Sequence, residues 1–320
     1  MSGSHAPVLC RELVSLVTGM APPAGTAGGA SVAGIREGVY VDATFGRGGH
    51  SRALLDVLGP DSRVIAFDRD PEAVAEGRAL ALAEPRFDIR QGNFSQLGDL
   101  LEQMDVGLVQ GVIMDLGVSS PQLDDPQRGF SFRFDAPLDM RMNPDQGPSA
   151  ADWLNAAAET EISRVLREYG EERYARRIAA AIVAARPLRT TAQLAAVVSQ
   201  AQPRRTPGKH DATRVFQAIR MQINDELGEL RAGLAQAFAV LRAGGRLAVI
   251  SFHSLEDRLV KRFFRELSQP PQLPRRLPVR DAAARPAALS IAGPIRAGAD
   301  ELAANPRARS AVLRVLEKAA

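Results

Sequence analysis

The 320-residue chain contains a single cysteine, Cys10. One thiol cannot close an intrachain disulfide and cannot build a Cys-based zinc site, so a reducing, cytoplasmic setting is expected. It also leaves no motif in which a thiol nucleophile would stand. Histidine is equally sparse, four residues at no ligand spacing, and no metal site is expected. No apolar run approaches the ~20 residues of a membrane span. The nearest, Ile178–Ala185, is far too short, and no basic patch followed by an apolar block marks a leader. No internal repeat is visible, and no membrane or obligate protein partner is expected.

Charge of one sign is scarce overall, with a net of +3, but it is unevenly placed. Between Glu161 and His210 stand ten basic residues (Arg164, Arg167, Arg173, Arg176, Arg177, Arg186, Arg189, Arg204, Arg205, Lys209) against four glutamates. Such a local excess suits either a phosphate-binding surface or a solvated helix face.

What is present centres on Tyr40–Ser51. Tyr40 and Val41 end an apolar strand, Gly46, Gly48 and Gly49 make a tight turn, and Ser51 opens a helix. Strand, glycine turn and helix allow a backbone to approach a nucleotide-like ligand closely. A second strand, Arg63–Phe67, runs into Asp68, an acid placed to accept from a ribose hydroxyl pair. A helix Pro71–Leu82 follows, which Asp68 would otherwise simply cap. A third strand, Arg86–Arg90, ends near Phe94, an apolar face for an adenine or an ordinary core ring. A fourth, Gly111–Met114, ends at Asp115, costly at the end of an apolar strand unless it faces a site. Alternating strands and helices predict an α/β fold with a parallel sheet and a ligand crevice at the carboxyl ends of the strands.

The alternation then stops. Asp124–Asn143 is polar and reads as a functional loop. Ser149–Asp152 has the form of a capping box, and helical periodicity runs from there to about Ser199, with breaks near Gly170 and Pro187. Thr213–Leu241 reads as one long helix, with His210 ahead of it as a cap or an RNA contact. A fifth strand, Arg246–Phe252, leads to His253 and Asp257, which are either active-site residues or part of a helix cap, and then to a helix from Leu259. The Pro/Arg-rich Gln269–Asp300 stretch reads as weakly ordered, Ala21–Gly34 as a flexible insertion, and Arg309–Leu316 as a last strand at the sheet edge. The expected division is an α/β part at 1–140 and 211–320 interrupted by a helical insertion at 141–210, which carries the basic excess and with it the possible phosphate-binding surface.

The glycine pattern departs from the dinucleotide fingerprint, because Gly49, His50 and Ser51 follow Gly48 where a third spaced glycine would stand. A glycine turn without a pyrophosphate clamp, flanked by acids, suits S-adenosylmethionine, whose sulfonium and ammonium groups favour carboxylates.

The segments Asp42–Ser51, Asp68-Arg-Asp-Pro, Asp115–Asp124, Arg128–Phe132 and Pro137–Met142 resemble the RsmH/MraW family. So do Tyr169–Arg173, Ala212–Ala218, Ser251–Arg258 and Asn305–Ser310, in the same order along nearly the whole chain. The resemblance implies a Rossmann-type S-adenosylmethionine-dependent methyltransferase sheet with an inserted all-helical domain. It also implies methylation of the exocyclic N4 of a cytosine, family position 1402, in 16S rRNA of the small ribosomal subunit. Cofactor contacts are implied at Gly48, Gly49, His50, Asp68, Phe94, Asp115 and Gln122. Asn143 and Asp211 depart from the family's usual acid and proline.

N4 of cytosine is a weak nucleophile because its lone pair is delocalised into the ring, so direct transfer needs orientation, a proton acceptor and exclusion of water. Asp115, Ser119 and Ser120 are the catalytic candidates, with Phe130, Phe132 or Phe134 to stack the base. Competing readings are a dinucleotide-dependent oxidoreductase, a catalytically silent ribosome assembly factor, and a DNA cytosine-N4 methyltransferase.

Overall fold

The computed structural model describes residues 7–20, 36–203, 210–270 and 285–320. The Ala21–Gly34 insertion, Arg204, Arg205, Lys209 and residues 271–284 lie outside the described residues. In chain order the first stretch gives α1 (Cys10–Thr18), β1 (Val39–Asp42), α2 (Gly49–Val57), β2 (Arg63–Asp68), α3 (Pro71–Ala83), β3 (Phe87–Gln91), α4 (Leu97–Glu102) and β4 (Val109–Asp115). A run of helices follows: α5 (Ser120–Asp124), α6 (Ala150–Ala156), α7 (Glu159–Glu168), α8 (Ala175–Ala184), α9 (Thr191–Ala201), α10 (Thr213–Ile223) and α11 (Glu226–Val240). The chain ends with β5 (Leu241–Ser251), α12 (Ser254–Ser268), β6 (Ala288–Ile295), α13 (Ala299–Ala304) and β7 (Val312–Lys318). No described helix is long and apolar enough to cross a membrane.

These elements form two compact units, 1–117 with 229–320, and 118–228. The first is a seven-stranded sheet in the order β3-β2-β1-β4-β5-β7-β6. The five strands β3 to β5 are mutually parallel, while β7 is antiparallel to both β5 and β6. The parallel strands read as unbroken apolar runs because both faces are buried. Tyr40, Val64, Ala66, Ile113, Ala248 and Ile250 pack in one core with α1 and α2. Their strand neighbours Val41, Ile65, Phe67, Val112, Met114, Leu247 and Val249 pack in another with α4, α11 and α12. Period-two alternation thus splits each strand between two helical layers.

The second unit is helical, with its own core of Leu154, Ile162, Leu166, Ile178, Ile182, Leu194, Val215 and Ile219. Ser149 caps α6 as the sequence predicts, its hydroxyl accepting from Asp152 N–H at 3.1 Å. The polar 124–143 segment is not a free loop. Phe130, Leu138, Met140 and Met142 enter the helical core. The Arg128 guanidinium donates to the carbonyls of Arg141 (3.2 Å) and Met142 (2.9 Å). Side chains therefore supply the partners that a regular element would give this backbone.

Several expectations need correction. The unit boundaries fall at 117/118 and 228/229, because 118–140 and 211–228 carry core residues of the helical unit. The expected helix Thr213–Leu241 is two helices, parted where Asp225 adopts φ 46°. Asn224 anchors the break: its amide donates to Met140 O (2.7 Å) and Arg220 O (2.9 Å), and its oxygen accepts from Met142 N–H (2.7 Å). α2 starts at Gly49 rather than Ser51, and α12 at Ser254 rather than Leu259. The last strand is not the edge. β6, inside the stretch read as weakly ordered, pairs outside it and carries Pro294 where a lost donor is tolerated.

Candidate active site

Gly48 shows why the turn is glycine. Its φ is +68°, and a Cβ there would stand 2.5 Å from the Phe45 ring, which is itself buried. The turn is stitched to the sheet by Phe45 N–H to Phe67 O (3.0 Å) and Ala43 N–H to Ile113 O (3.0 Å). Asp68 closes it: one carboxylate oxygen accepts from Gly46 N–H at 2.7 Å, the other from Asp70 N–H at 2.9 Å. The cap of α3 is Asp70, not Asp68, since Asp70 accepts from Glu72 N–H. Burial pushes the Asp68 carboxyl up to about 6, against the two backbone donors that favour its charge.

Asp42, at the end of β1, is buried and accepts from Ser51 Oγ at 2.6 Å and Thr44 N–H at 3.2 Å. Burial raises its pKa as well. The Thr44 hydroxyl in turn accepts from Asp115 N–H at 2.6 Å, so the ends of β1 and β4 are tied together.

Asp115 is partly open, its side chain 28% exposed, but its Oδ1 is buried with no hydrogen-bond partner among the described residues. Burial is the main cause that lifts its carboxyl to about 6, opposed by the neighbouring His50. His50 is buried on α2, with Nε2 3.0 Å from the carbonyl of Val8 and Nδ1 3.7 Å from Asp115 Oδ2. A carbonyl only accepts, so Nε2–H donates to Val8, and the Nδ1 edge is the one turned to the carboxylate.

Phe94 lies beyond β3, half-buried against the core on that face of the sheet. Gly233 on α11 leaves it room, because a Cβ there would come 2.3 Å from the ring. Beside it Asn93 donates to Glu229 Oε1 at 3.3 Å, while Glu229 Oε2 is buried without a hydrogen-bond partner among the described residues. Glu229 and Asn93 were not singled out by sequence. Glu229 hides in a helix whose amphipathic pattern gives no reason to single it out.

The structure thus brings Gly48, Gly49, His50, Asp68, Phe94 and Asp115 to the carboxyl ends of β1, β2, β3 and β4 in one unit. Ser119, Ser120 and Gln122 belong to the other unit. There Ser119 N–H donates to Gln122 Oε1 at 2.9 Å, a capping arrangement for α5, and Gln122 is buried.

Of the stacking candidates, Phe130 is core and Phe132 is stacked on His210 at 4.4 Å and set edge-on to Phe216. Only Phe134 is an exposed ring, at 56%. His210 also accepts from Ala212 N–H at 3.2 Å, just ahead of α10, but does not cap that helix. His253 and Asp257 are structural: His253 caps α12 reciprocally with Glu256, and Asp257 pairs with Arg314 at 2.7 and 3.1 Å. Cys10 is half-buried with its thiol pushed up to about 11, so it stays protonated near neutrality.

The donor set is carboxylate-rich. It can accept from hydroxyls and hold a cationic group. The two arginines of the turn are turned away, Arg47 bonded to Glu76 and Arg52 3.9 Å from the same carboxylate. These features fit S-adenosylmethionine better than a dinucleotide.

Comparison with known proteins agrees. The model of the MraW methylase family matches residues 2–319. The chain is 55% identical to the ribosomal RNA small subunit methyltransferase H of Thiobacillus denitrificans, over 100% of this chain and 99% of the relative. It is 57% identical to the protein of the same name from Azoarcus, over 88% and 91% of the two chains. Among solved structures, an rRNA methylase from Streptococcus thermophilus aligns over 89% of this chain and 88% of its own with a TM-score of 0.38 and 11% identity. The chain belongs to the MraW methylase family.

Proposed function

We propose that this protein methylates the exocyclic N4 of a cytosine, family position 1402, in 16S rRNA of the small ribosomal subunit. The observation that carries this reading is Asp115: a carboxylate at a strand end, raised by burial, with one oxygen lacking any described hydrogen-bond partner. S-adenosylmethionine supplies an electrophilic methyl group when bound. When it is bound, Asp68 would accept from the ribose hydroxyls, Phe94 would cover the adenine, and the Gly48–Gly49 turn would admit the cofactor close to the backbone.

Asp115 then serves the nucleophile. A carboxylate accepting an N4–H pulls electron density toward N4 and receives the proton that the nitrogen must lose once the new N–C bond forms. A pKa of about 6 leaves it mostly ionised at neutral pH yet more basic than an ordinary aspartate, which is the compromise an acceptor needs. His50 is a positioning residue, holding a polar edge against that carboxylate. Ser119, Ser120 and Gln122 enter this reading through the family resemblance. The exposed arginines of the helical unit, Arg173, Arg176 and Arg177, are assigned to rRNA phosphates, and the setting to the cytoplasm.

The test supplies methyl-labelled S-adenosylmethionine with undermethylated small subunits, free rRNA and DNA in parallel. Label in small-subunit rRNA supports the reading. Label confined to DNA, or cofactor binding with no transfer to any of the three, contradicts it.

A further inference from the structure

α12 carries a feature that the chemistry at the strand ends does not use. Its inward face, Val260 and Phe264 with half-buried Leu259, Phe263 and Leu267, packs into the sheet's core. Its outward face presents Arg258, Lys261, Arg262 and Arg265, all exposed, at positions i, i+3, i+4 and i+7. At 100° per residue these four fall on one stripe about 100° wide.

The acids of the same helix leave Lys261 and Arg265 un-neutralised. Glu256 is buried in the cap, Asp257 pairs with Arg314, and Glu266 pairs with Arg262 at 2.8 Å, both exposed. Among the described residues Lys261 and Arg265 make no ion pair and no hydrogen bond. Each long side chain in such a stripe gives up rotamer freedom only when a partner holds it, and an exposed pair such as Arg262–Glu266 is worth little to the fold.

The placement adds direction. β5 runs parallel to β4, with Asp115 in register with Ile250, so α12 begins at the same end of the sheet as Asp68 and Asp115. From there the helix runs along the sheet against β5, β7 and β6, and Lys261 and Arg265 lie roughly 10 and 16 Å along its axis from Ser254. A row of cations that starts at the crevice and runs away from it matches a polyanionic strand passing over the sheet edge.

We infer that the Arg258–Lys261–Arg262–Arg265 stripe of α12 is a second seat for the rRNA backbone, binding phosphates of the strand that leaves the target cytosine. This rests on the rRNA reading above and adds a surface to it, on the unit that holds the cofactor residues rather than on the helical unit.

The experiment measures direct binding to undermethylated small subunits, and to protein-free rRNA, across a salt series. It compares wild type, the double variant Lys261→Gln/Arg265→Gln, and a control, Arg63→Gln/Arg78→Gln, which removes two exposed cations elsewhere on the unit. The expected result is a shallower dependence of log K on log salt, by roughly 0.7–0.9 per lost contact. KM for subunits should rise, with cofactor affinity, thermal midpoint and kcat at saturating subunits unchanged, and the control should match wild type. A slope equal to wild type, or an equal loss in the control, would overturn the proposal. So would an effect seen with intact subunits but absent with protein-free rRNA, which would transfer the stripe to an acidic protein. Binding is read without catalysis, so a wild type that binds but methylates no cytosine refutes the functional reading separately.

Discussion

Cofactor binding should weaken in acid, and the two raised carboxylates set by how much. Asp68 and Asp115 both titrate near 6 because burial disfavours their charged forms. A ligand that needs them ionised competes with protons as the pH falls. Between pH 7.5 and pH 5.0 the ionised fraction of a group with a pKa of 6 drops about tenfold. Two such groups acting independently give about a hundredfold loss of affinity. Folding stability moves in the opposite sense. A carboxyl raised from 3.8 to about 6 favours the native state below its unfolded value, and that advantage, at most about 3 kcal/mol for each, is lost as the pH rises through 6. Acid should therefore weaken cofactor binding before it unfolds the protein through these groups. The assay is calorimetric titration of S-adenosylmethionine across that range, with Asp68→Asn alongside. The variant should bind weakly at neutral pH and lose one tenfold factor of the pH dependence. A wild-type affinity that is flat from pH 5.0 to 7.5 would refute the reasoning, as would an Asp68→Asn protein with undiminished pH dependence.

Other consequences can be checked on the same preparations. His50 favours the charged form of Asp115, so His50→Gln, which still offers a donor to the Val8 carbonyl, should move the acid limb of the kcat/KM profile to higher pH. An unmoved limb would remove His50 from the reaction. Asn224→Ala strands the buried carbonyl of Met140 and amide of Met142, and should destabilise the helical unit by roughly 2–4 kcal/mol in denaturant unfolding. A cost below 1 kcal/mol would show that the break between α10 and α11 has another anchor. Neutralising Arg173, Arg176 and Arg177 together should flatten the salt dependence of small-subunit binding, and an unchanged slope would return them to a solvated helix face.

The sheet was legible in the sequence because its strands are buried on both faces, so Val39–Asp42, Arg63–Asp68 and Val109–Asp115 are short apolar runs bounded by glycines and acids. The strand-end acids were legible for a related reason. Asp68 and Asp115 close such runs, where a charge is costly without a purpose. β6 escaped because an edge strand needs only one partner and tolerates exposed residues and a proline, which erases alternation. The break at Asn224-Asp225 escaped because the apolar positions on either side keep a helical period, and the residue that enforces it bonds to backbone some eighty positions away. The unit boundaries moved for the same reason: Phe130, Leu138 and Met140 join a core whose other members are distant in the chain. The aromatic residues around Phe130 looked equivalent as a list, and packing separates them into core, stack and exposed ring.

The most direct test of the account is nucleoside analysis of small-subunit rRNA after reaction with wild type and with Asp115→Ala, each at saturating S-adenosylmethionine. The account predicts N4-methylcytosine from the wild type and a loss of turnover of at least two orders of magnitude in the variant while its rRNA binding persists. A methyl group on another atom, or near-wild-type turnover by Asp115→Ala, would contradict it.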